Sequence, residues 1–249
     1  MQYGIANLSI VPLRIEPDDT TELVSQVLYG EIFKVTERRK KWSKIRLAYD
    51  QFEGWIDNNQ YLEISETDYD SVIELSGRLS GDLLEFVQDH NDQLITIPLG
   101  SSLTCLNFLN HSFDGHSIEG LQPKSHVIDT AFLYRNAPYL WGGKTPFGID
   151  ASGLTQMVYK LNGYKLHRTV EQQAKQGEAL SFIEESEIGD LAFFDNNEGQ
   201  IIHVGIIMPD NYIIHAYGKV RIDRLDHSGI YNIDTKMHTH KLRVIKKII

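Results

Sequence analysis

The chain has 249 residues, 41% of them hydrophobic, and a formal net charge of -10 at pH 7. That apolar content is ample for packed cores, in one large domain or two to three small ones, and the acidic balance argues against nucleic acid or an anionic membrane as partner. No apolar run approaches the roughly 18 residues that cross a bilayer, and the start, Met1-Gln2-Tyr3-Gly4-Ile5, lacks the basic and apolar regions of a secretory signal, so the expected location is the cytoplasm.

Residues 1–64 read as a small all-β unit. Strand-like runs at Leu8 to Leu13, Leu28 to Val35 and Trp42 to Tyr49 are separated by turns, and Gly54-Trp55-Ile56 closes the set. The order Leu13-Arg14-Ile15-Glu16-Pro17, Leu28-Tyr29-Gly30-Glu31, Trp42-Ser43-Lys44-Ile45, Phe52-Glu53-Gly54-Trp55 resembles a bacterial SH3-like barrel. Residues 65–122 repeat this more faintly, with strand candidates at Asp82 to Val87, Gln93 to Leu99 and Ser102 to Leu106, and are expected to be a second, divergent SH3-like barrel. Cys105 is the one cysteine, so no internal disulfide is possible; its place among alternating apolar residues predicts a buried strand position. Gln122-Pro123-Lys124 is the expected linker.

From Ser125 a capped helix is predicted to about Asn136, ending before Pro138. Next comes Trp141-Gly142-Gly143-Lys144-Thr145-Pro146-Phe147-Gly148, which no single regular element accommodates. Asp150 is a good N-cap for the helix that follows, in which Leu154, Met157, Val158 and Leu161 recur at helical spacing, with Gly163 placed to end it. Thr169 and Gln172 predict a capping box for a third helix, ended by Gly177. The pattern then changes to strands at Gly189 to Phe194, Ile201 to Met208, Tyr212 to Val220 and Leu242 to Ile248. Helices followed by an antiparallel sheet predict an α+β domain over residues 123–249.

His203 and His215 lie in two apolar strands joined across Pro209-Asp210-Asn211. A hairpin loop of odd length centred on Pro209 would set them directly opposite, with Cβ atoms about 5 Å apart; a loop of even length would put them on opposite faces. Two histidines on one face suit proton transfer, the first carrying the proton and the second orienting it. His227, His238 and His240 have neither a neighbouring cysteine nor a paired carboxylate to complete a ligand set. No metal or other cofactor is expected.

Trp141-Gly142-Gly143 followed by Asp150-Ala151-Ser152-Gly153 and a helix resembles the active-site segment of the NlpC family of bacterial cell-wall cysteine peptidases. The resemblance implies a papain-like domain behind the SH3-like barrels, and a nucleophilic cysteine at the start of the helix. Its triad carries over to position 151, His203 and His215. It further implies that Tyr139, Asp150 and Ser152, with Trp141 and Arg168, line the substrate site. The implied reaction is hydrolysis of the amide between γ-D-glutamate and a diamino acid, meso-diaminopimelate or lysine, in a peptidoglycan stem peptide. The expected substrate is a released muropeptide, L-Ala-γ-D-Glu-diamino acid, processed for recycling. Leu166-His167-Arg168-Thr169-Val170 departs from the family pattern, with His167 in place of a proline.

Position 151 is Ala151. Alanine has no lone pair with which to attack a carbonyl, and Ser152 is turned about 100° away along a helix, so the chain as written is expected to be inactive. The adopted reading is an engineered Cys→Ala replacement, because the loop chemistry and both histidines are in place. The alternatives are a natural pseudoenzyme that binds muropeptides uncut and an amidase or acyltransferase on the same scaffold. Oligomeric state is not readable from the sequence.

Overall fold

The computed structural model describes residues 2–75 and 77–249. It divides into two compact units. The first runs to Leu121 and takes in Trp141–Pro146; the second comprises Gln122–Leu140 and Phe147–Ile249.

In the first unit, β1 (Gln2–Ile5), β2 (Ile10–Arg14), β3 (Leu23–Leu28), β4 (Ile32–Arg38), β5 (Trp42–Leu47), β6 (Glu53–Asp57) and β7 (Leu62–Ile64) form one sheet. Among the described residues its order is β3-β2-β6-β5-β4-β1-β7. Alternation of side chains sends Val11, Leu13, Val27, Phe33, Val35, Ile45, Leu47 and Ile56 into one core, as a period of two dictates. Helix α1 (Glu66–Glu74) follows, started by a capping box between Ser65 and Asp68. Then come β8 (Arg78–Ser80), β9 (Leu84–Gln88), β10 (Leu94–Pro98), the single turn α2 (Leu106–Leu109) and β11 (Ser117–Glu119). They pair as β9 with β10 and β8 with β11. A second core joins Tyr3, Ile5, Tyr29 and Ile32 to Tyr69, Val72, Val87, Ile97, Leu103 and Cys105.

The strand expected over Ser102 to Leu106 is a turn running into α2. The Ser102 and Thr104 hydroxyls hydrogen-bond each other (2.8 Å), and such local bonds compete with a strand ladder. Cys105 is buried, as expected, but caps a helix turn and does not lie in a strand. The segment 141–146 contains β12 (Lys144–Thr145). It is held by a buried ion pair, Lys144 Nζ to both carboxylate oxygens of Glu31 (3.3 Å each), and by the Lys144 N–H donating to Gln26 Oε1 (2.7 Å).

The second unit begins with α3 (His126–Leu133) and β13 (Gly148–Ile149), then α4 (Ala151–Leu161) and the single turn α5 (Val170–Gln173). Helix α4 is buried almost all round, beyond the one apolar face the periodicity predicts. Its polar side chains are accommodated by directed bonds: Thr155 Oγ1 donates to Gln173 Oε1 (2.7 Å), Gln156 Nε2 to the Leu166 carbonyl (3.1 Å) and Tyr159 Oη to the Gly189 carbonyl (2.5 Å). Thr169 caps α5 through its hydroxyl, but the helix ends at Gln173, well before Gly177.

The strands are β14 (Glu178–Leu180), β15 (Leu191–Asp195), β16 (Ile201–Met208), β17 (Tyr212–Tyr217), β18 (Lys219–Asp226), β19 (Gly229–Asn232) and β20 (Met237–Lys247). Among the described residues they run β14-β20-β15-β16-β17-β18-β19, and β19 pairs back onto β20, so the strands close on themselves. The strand expected over Tyr212 to Val220 is two strands. Gly218, at φ +69°, reverses the chain between Tyr217 and Lys219, a left-handed conformation that glycine adopts without a Cβ penalty.

Candidate active site

Helix α4 packs against β16 and β17, which brings its N-terminus and the two histidine strands into one unit. Asp150 is its N-cap in extended conformation, and its Oδ1 accepts from the Gly153 N–H (2.6 Å). Ala151 is the first helical residue and 9% exposed. The Gly153 and Leu154 N–H groups are taken by Asp150. The helix dipole at this end favours negative charge, so a thiol placed at 151 would have its thiolate form stabilised.

Asp150 is also one half of a buried ion pair. Arg168 donates bidentately, Nη1 to Oδ1 (3.0 Å) and Nη2 to Oδ2 (2.6 Å), and Nη1 also reaches Ser152 Oγ (3.0 Å). The Ser152 hydroxyl donates to Asp150 Oδ1 (3.3 Å). Three of the residues expected at the substrate site are thus one hydrogen-bonded cluster on α4's first turn. Tyr139 belongs to the same unit, bridged to Ile149 and 38% exposed. Burial and the nearby Asp150 charge raise its phenol above the ordinary value, while Arg168 pulls the other way. Trp141 falls in the first unit, where it is 59% exposed and its indole donates to Glu22 (2.5 Å).

The β16–β17 hairpin has the odd loop that the pairing requires, with one correction. The three loop residues centre on Asp210, not Pro209, so His215 stands opposite Gly205 and His203 lies one diagonal step away on the same face. The geometry still suits contact: His203 Nε2 and His215 Nδ1 are 2.8 Å apart. A Cβ on Gly205 would stand 3.0 Å from the His215 Cβ and closer still to Ile213, so a glycine opposite His215 is a packing requirement.

Three residues that the sequence did not reveal complete the group. Asp223 on β18 accepts from His215 Nε2 (3.0 Å), and Arg221 donates to both Asp223 oxygens, Nε to Oδ2 (2.6 Å) and Nη2 to Oδ1 (2.9 Å). His240 on β20 stacks on His203, with centroids 4.1 Å apart and planes 24° apart. The grouping of His227 with His238 and His240 is not found: His227 lies beside Glu184 (3.3 Å) and His238 beside Asp226 (2.8 Å).

Burial pushes the His203 pKa well below 6.5, helped by His215 and His240. Burial also lowers His215, against the opposing pull of Asp223, and lowers His240 to about 4. For Asp223, burial alone would raise the carboxyl, but the hydrogen bonds from His215 and Arg221 outweigh it and hold it well below the usual carboxylate range. Among the described residues, His203, His215 and His240 have one ring nitrogen each within 4.8 Å of the others. His215 already uses both nitrogens on His203 and Asp223, which disfavours a metal in the group.

An anionic thiolate next to a helix N-terminus, a neutral imidazole and a second imidazole bonded to a carboxylate are the parts of nucleophilic acyl transfer. Of these the chain lacks the thiol.

Residues 136–239 match the NlpC/P60 family, and residues 13–60 match the bacterial dipeptidyl-peptidase Sh3 domain. The chain is 29% identical over 248 residues to dipeptidyl-peptidase 6 of Lysinibacillus sphaericus, covering 86% of this chain and 88% of that protein. It is 37% identical over 92 residues to the γ-D-glutamyl-L-lysine dipeptidyl-peptidase of Bacillus subtilis, covering 36% of this chain and 31% of that one. Its fold is similar to the crystal structure of an NlpC/P60 family protein from Bacillus cereus, with a TM-score of 0.82, 18% identity and 99% of each chain covered.

Proposed function

We propose that this chain, whose residues 136–239 match the NlpC/P60 family and whose residues 13–60 match a bacterial dipeptidyl-peptidase Sh3 domain, is a γ-D-glutamyl-diamino acid endopeptidase of the cysteine-peptidase type silenced at its nucleophile. The observation that carries the proposal is the His203–His215 contact of 2.8 Å on the strands that pack on α4, whose first residue is Ala151. One relative is named a γ-D-glutamyl-L-lysine dipeptidyl-peptidase and the other a dipeptidyl-peptidase, which supports a bond between γ-D-glutamate and a diamino acid; an N-terminal L-Ala completes the substrate in this reading. Residues 65–122 are read as a second, divergent SH3-like module, its two short sheets tied by the Ser80 hydroxyl of β8 donating to the Pro98 carbonyl of β10 (2.8 Å).

With cysteine at 151, the thiolate sulfur attacks the γ-carbonyl carbon of D-glutamate. The oxygen of the tetrahedral intermediate is stabilised by the backbone N–H of residue 151, in the helix's first turn where N–H groups have no intrahelical acceptor, and by the Tyr139 hydroxyl, which its raised pKa keeps protonated. His203, having taken the thiol proton, gives it to the leaving amine of the diamino acid. Water then enters; His203 removes its proton as its oxygen attacks the thioester, releasing the dipeptide and restoring the thiol. Ser152 and Tyr139 receive the ammonium of the N-terminal L-Ala. Asp150 contributes mainly through directed hydrogen bonds, since its charge is balanced by Arg168.

Ala151 itself favours a second reading, a natural binder of muropeptides that never cuts them. Incubating L-Ala-γ-D-Glu-meso-diaminopimelate with the Ala151→Cys variant and with the chain as it stands separates the two. Dipeptide release by the variant alone is the expected result. Binding by both with release by neither would establish the pseudoenzyme, and adding an amine acceptor would reveal a transferase through its transfer product.

A further inference from the structure

The two histidines of the site do not by themselves determine which nitrogen holds a proton, and general-base chemistry depends on it. A ring with its proton on the wrong nitrogen has the right geometry and no basic lone pair where one is needed. The strand that settles this is β18, which reaches the site only because the chain turns back at Gly218.

Resting on the peptidase reading above, we propose that Asp223, braced by Arg221, is a positioning residue that fixes the tautomers of both histidines and leaves Nδ1 as the one basic nitrogen of His203. The assignment follows by elimination. Asp223 Oδ1 accepts from Arg221 Nη2 (2.9 Å) and from the Ile233 N–H (3.1 Å), and Oδ2 accepts from Arg221 Nε (2.6 Å). A carboxylate so placed is ionised and can only accept. His215 Nε2, 3.0 Å from Oδ2, therefore carries a hydrogen. A neutral His215 then has a bare Nδ1, which accepts from its neighbour, so His203 Nε2, 2.8 Å away, is the protonated nitrogen of its ring. His203 Nδ1 is left without a hydrogen.

A doubly protonated His215 would reverse the last step, and its surroundings oppose that. The ring is fully buried, Arg221 adds positive charge opposite it on β18, and only Asp223 pulls toward the cation. From β17 Tyr217 stacks on His215 (6.4 Å, 8°), and from β20 His240, which burial keeps neutral at neutral pH, meets it edge to face (5.8 Å, 82°). Arg221 is in turn held by Asn232 Oδ1 (3.2 Å) and Asp234 Oδ2 (2.9 Å). The carboxylate is thus held at both oxygens, and rotation about its Cβ–Cγ bond would break three bonds besides the one to His215.

Asp223→Asn distinguishes this role from simple packing. An amide is isosteric with the carboxylate, but wherever its NH2 sits it faces a donor. The arrangement that keeps both Arg221 Nη2 and the Ile233 N–H satisfied turns the NH2 toward His215 Nε2. That nitrogen becomes the acceptor, Nδ1 of His215 takes the hydrogen, and the pattern on His203 inverts.

The test is the 15N spectrum of the imidazole rings at pH 7.5, recorded on the full chain with Ala151 in place, so that no turnover is needed. The expected result is hydrogen on Nε2 of both His203 and His215, moving to Nδ1 of both in Asp223→Asn. Hydrogen on Nδ1 of His215 in the parent chain overturns the proposal whether or not the variant folds, as does a folded variant with unchanged tautomers. In the Ala151→Cys background, Asp223→Asn is expected to lower kcat by about 10²-fold or more with KM nearly unchanged, by analogy with carboxylate-to-amide changes behind other catalytic histidines. Equal kcat values would overturn the positioning role. If Ala151→Cys never turns over while the ring nitrogens behave as stated, the peptidase reading fails and the tautomer assignment stands.

Discussion

Arg168 and Asp150 are each almost out of water, their side chains 3% and 9% exposed, and each is a counter-ion for the other. Removing one partner strands a buried charge, at a cost of about 3–5 kcal/mol. Arg168→Ala is therefore expected to lower the urea midpoint of the second unit markedly, while Ser152→Ala, which removes one hydroxyl from the cluster, should cost only about 1 kcal/mol. Equal midpoints for Arg168→Ala and the parent chain would mean the pair is not the anchor of α4's first turn. Residues of this kind differ in how plainly a sequence declares them. Asp150 and Ser152 sit within a short motif, and His203 and His215 stand in adjacent apolar runs whose loop fixes their face. Arg168 was reachable only through family resemblance. Asp223 and His240 carried no local signal, because they meet histidines 8 and 37 residues away on other strands, and Arg221 has its role only through Asp223.

Two glycines shape the elements that bring these side chains together. A Cβ added at Gly218 would meet nothing within 4 Å, so replacing it tests the backbone alone. Gly218→Val should cost about 1–2 kcal/mol through the left-handed φ, and Gly218→Asn less. Both can be measured by chemical denaturation, and equal losses would point to something other than φ. Gly205→Val tests packing instead. Its side chain would crowd Ile213 and His215, with an expected cost of about 1–3 kcal/mol, and in the Ala151→Cys background it should lower kcat more than it raises KM. Helix α4 was legible from its period and cap because both signals are local. The β17–β18 hairpin was not: Tyr212 to Val220 reads as one apolar strand, and a single glycine gives no turn cluster to divide it. That merged strand is the reason Asp223 was missed. The turn at Ser102 to Leu106 was missed for a related reason, since alternating apolar residues suit a strand until hydroxyl bonding intervenes.

Across the molecule, acid is expected to unfold the second unit through its buried imidazoles. His203, His215 and His240 all have folded pKa values below the ordinary 6.5. The unfolded chain therefore binds more protons as pH falls, so the stability they contribute is full above about 6.5 and is lost below it; for His240 the loss continues to about pH 4. Each contributes a slope of at most about 1.4 kcal/mol per pH unit. Asp223 adds its own loss at lower pH, as its unfolded carboxyl protonates while the native one resists. The urea midpoint should fall steadily from pH 7 to 5; a flat profile there would contradict the neutral, buried histidines. At this scale the α+β layout behind an SH3-like domain was legible from the order of element types, whereas closure of the strands through β19 and β20 was not, because it pairs segments whose patterns are mostly polar. The central claim is that one atom, the missing sulfur at position 151, separates this chain from an acyl-transferring enzyme. The most direct measurement is the intact mass of Ala151→Cys mixed with L-Ala-γ-D-Glu-meso-diaminopimelate and quenched in acid. A transient adduct of one L-Ala-γ-D-Glu acyl group, absent from the parent chain and followed by free dipeptide, is the predicted result; an unmodified protein beside intact peptide would contradict it.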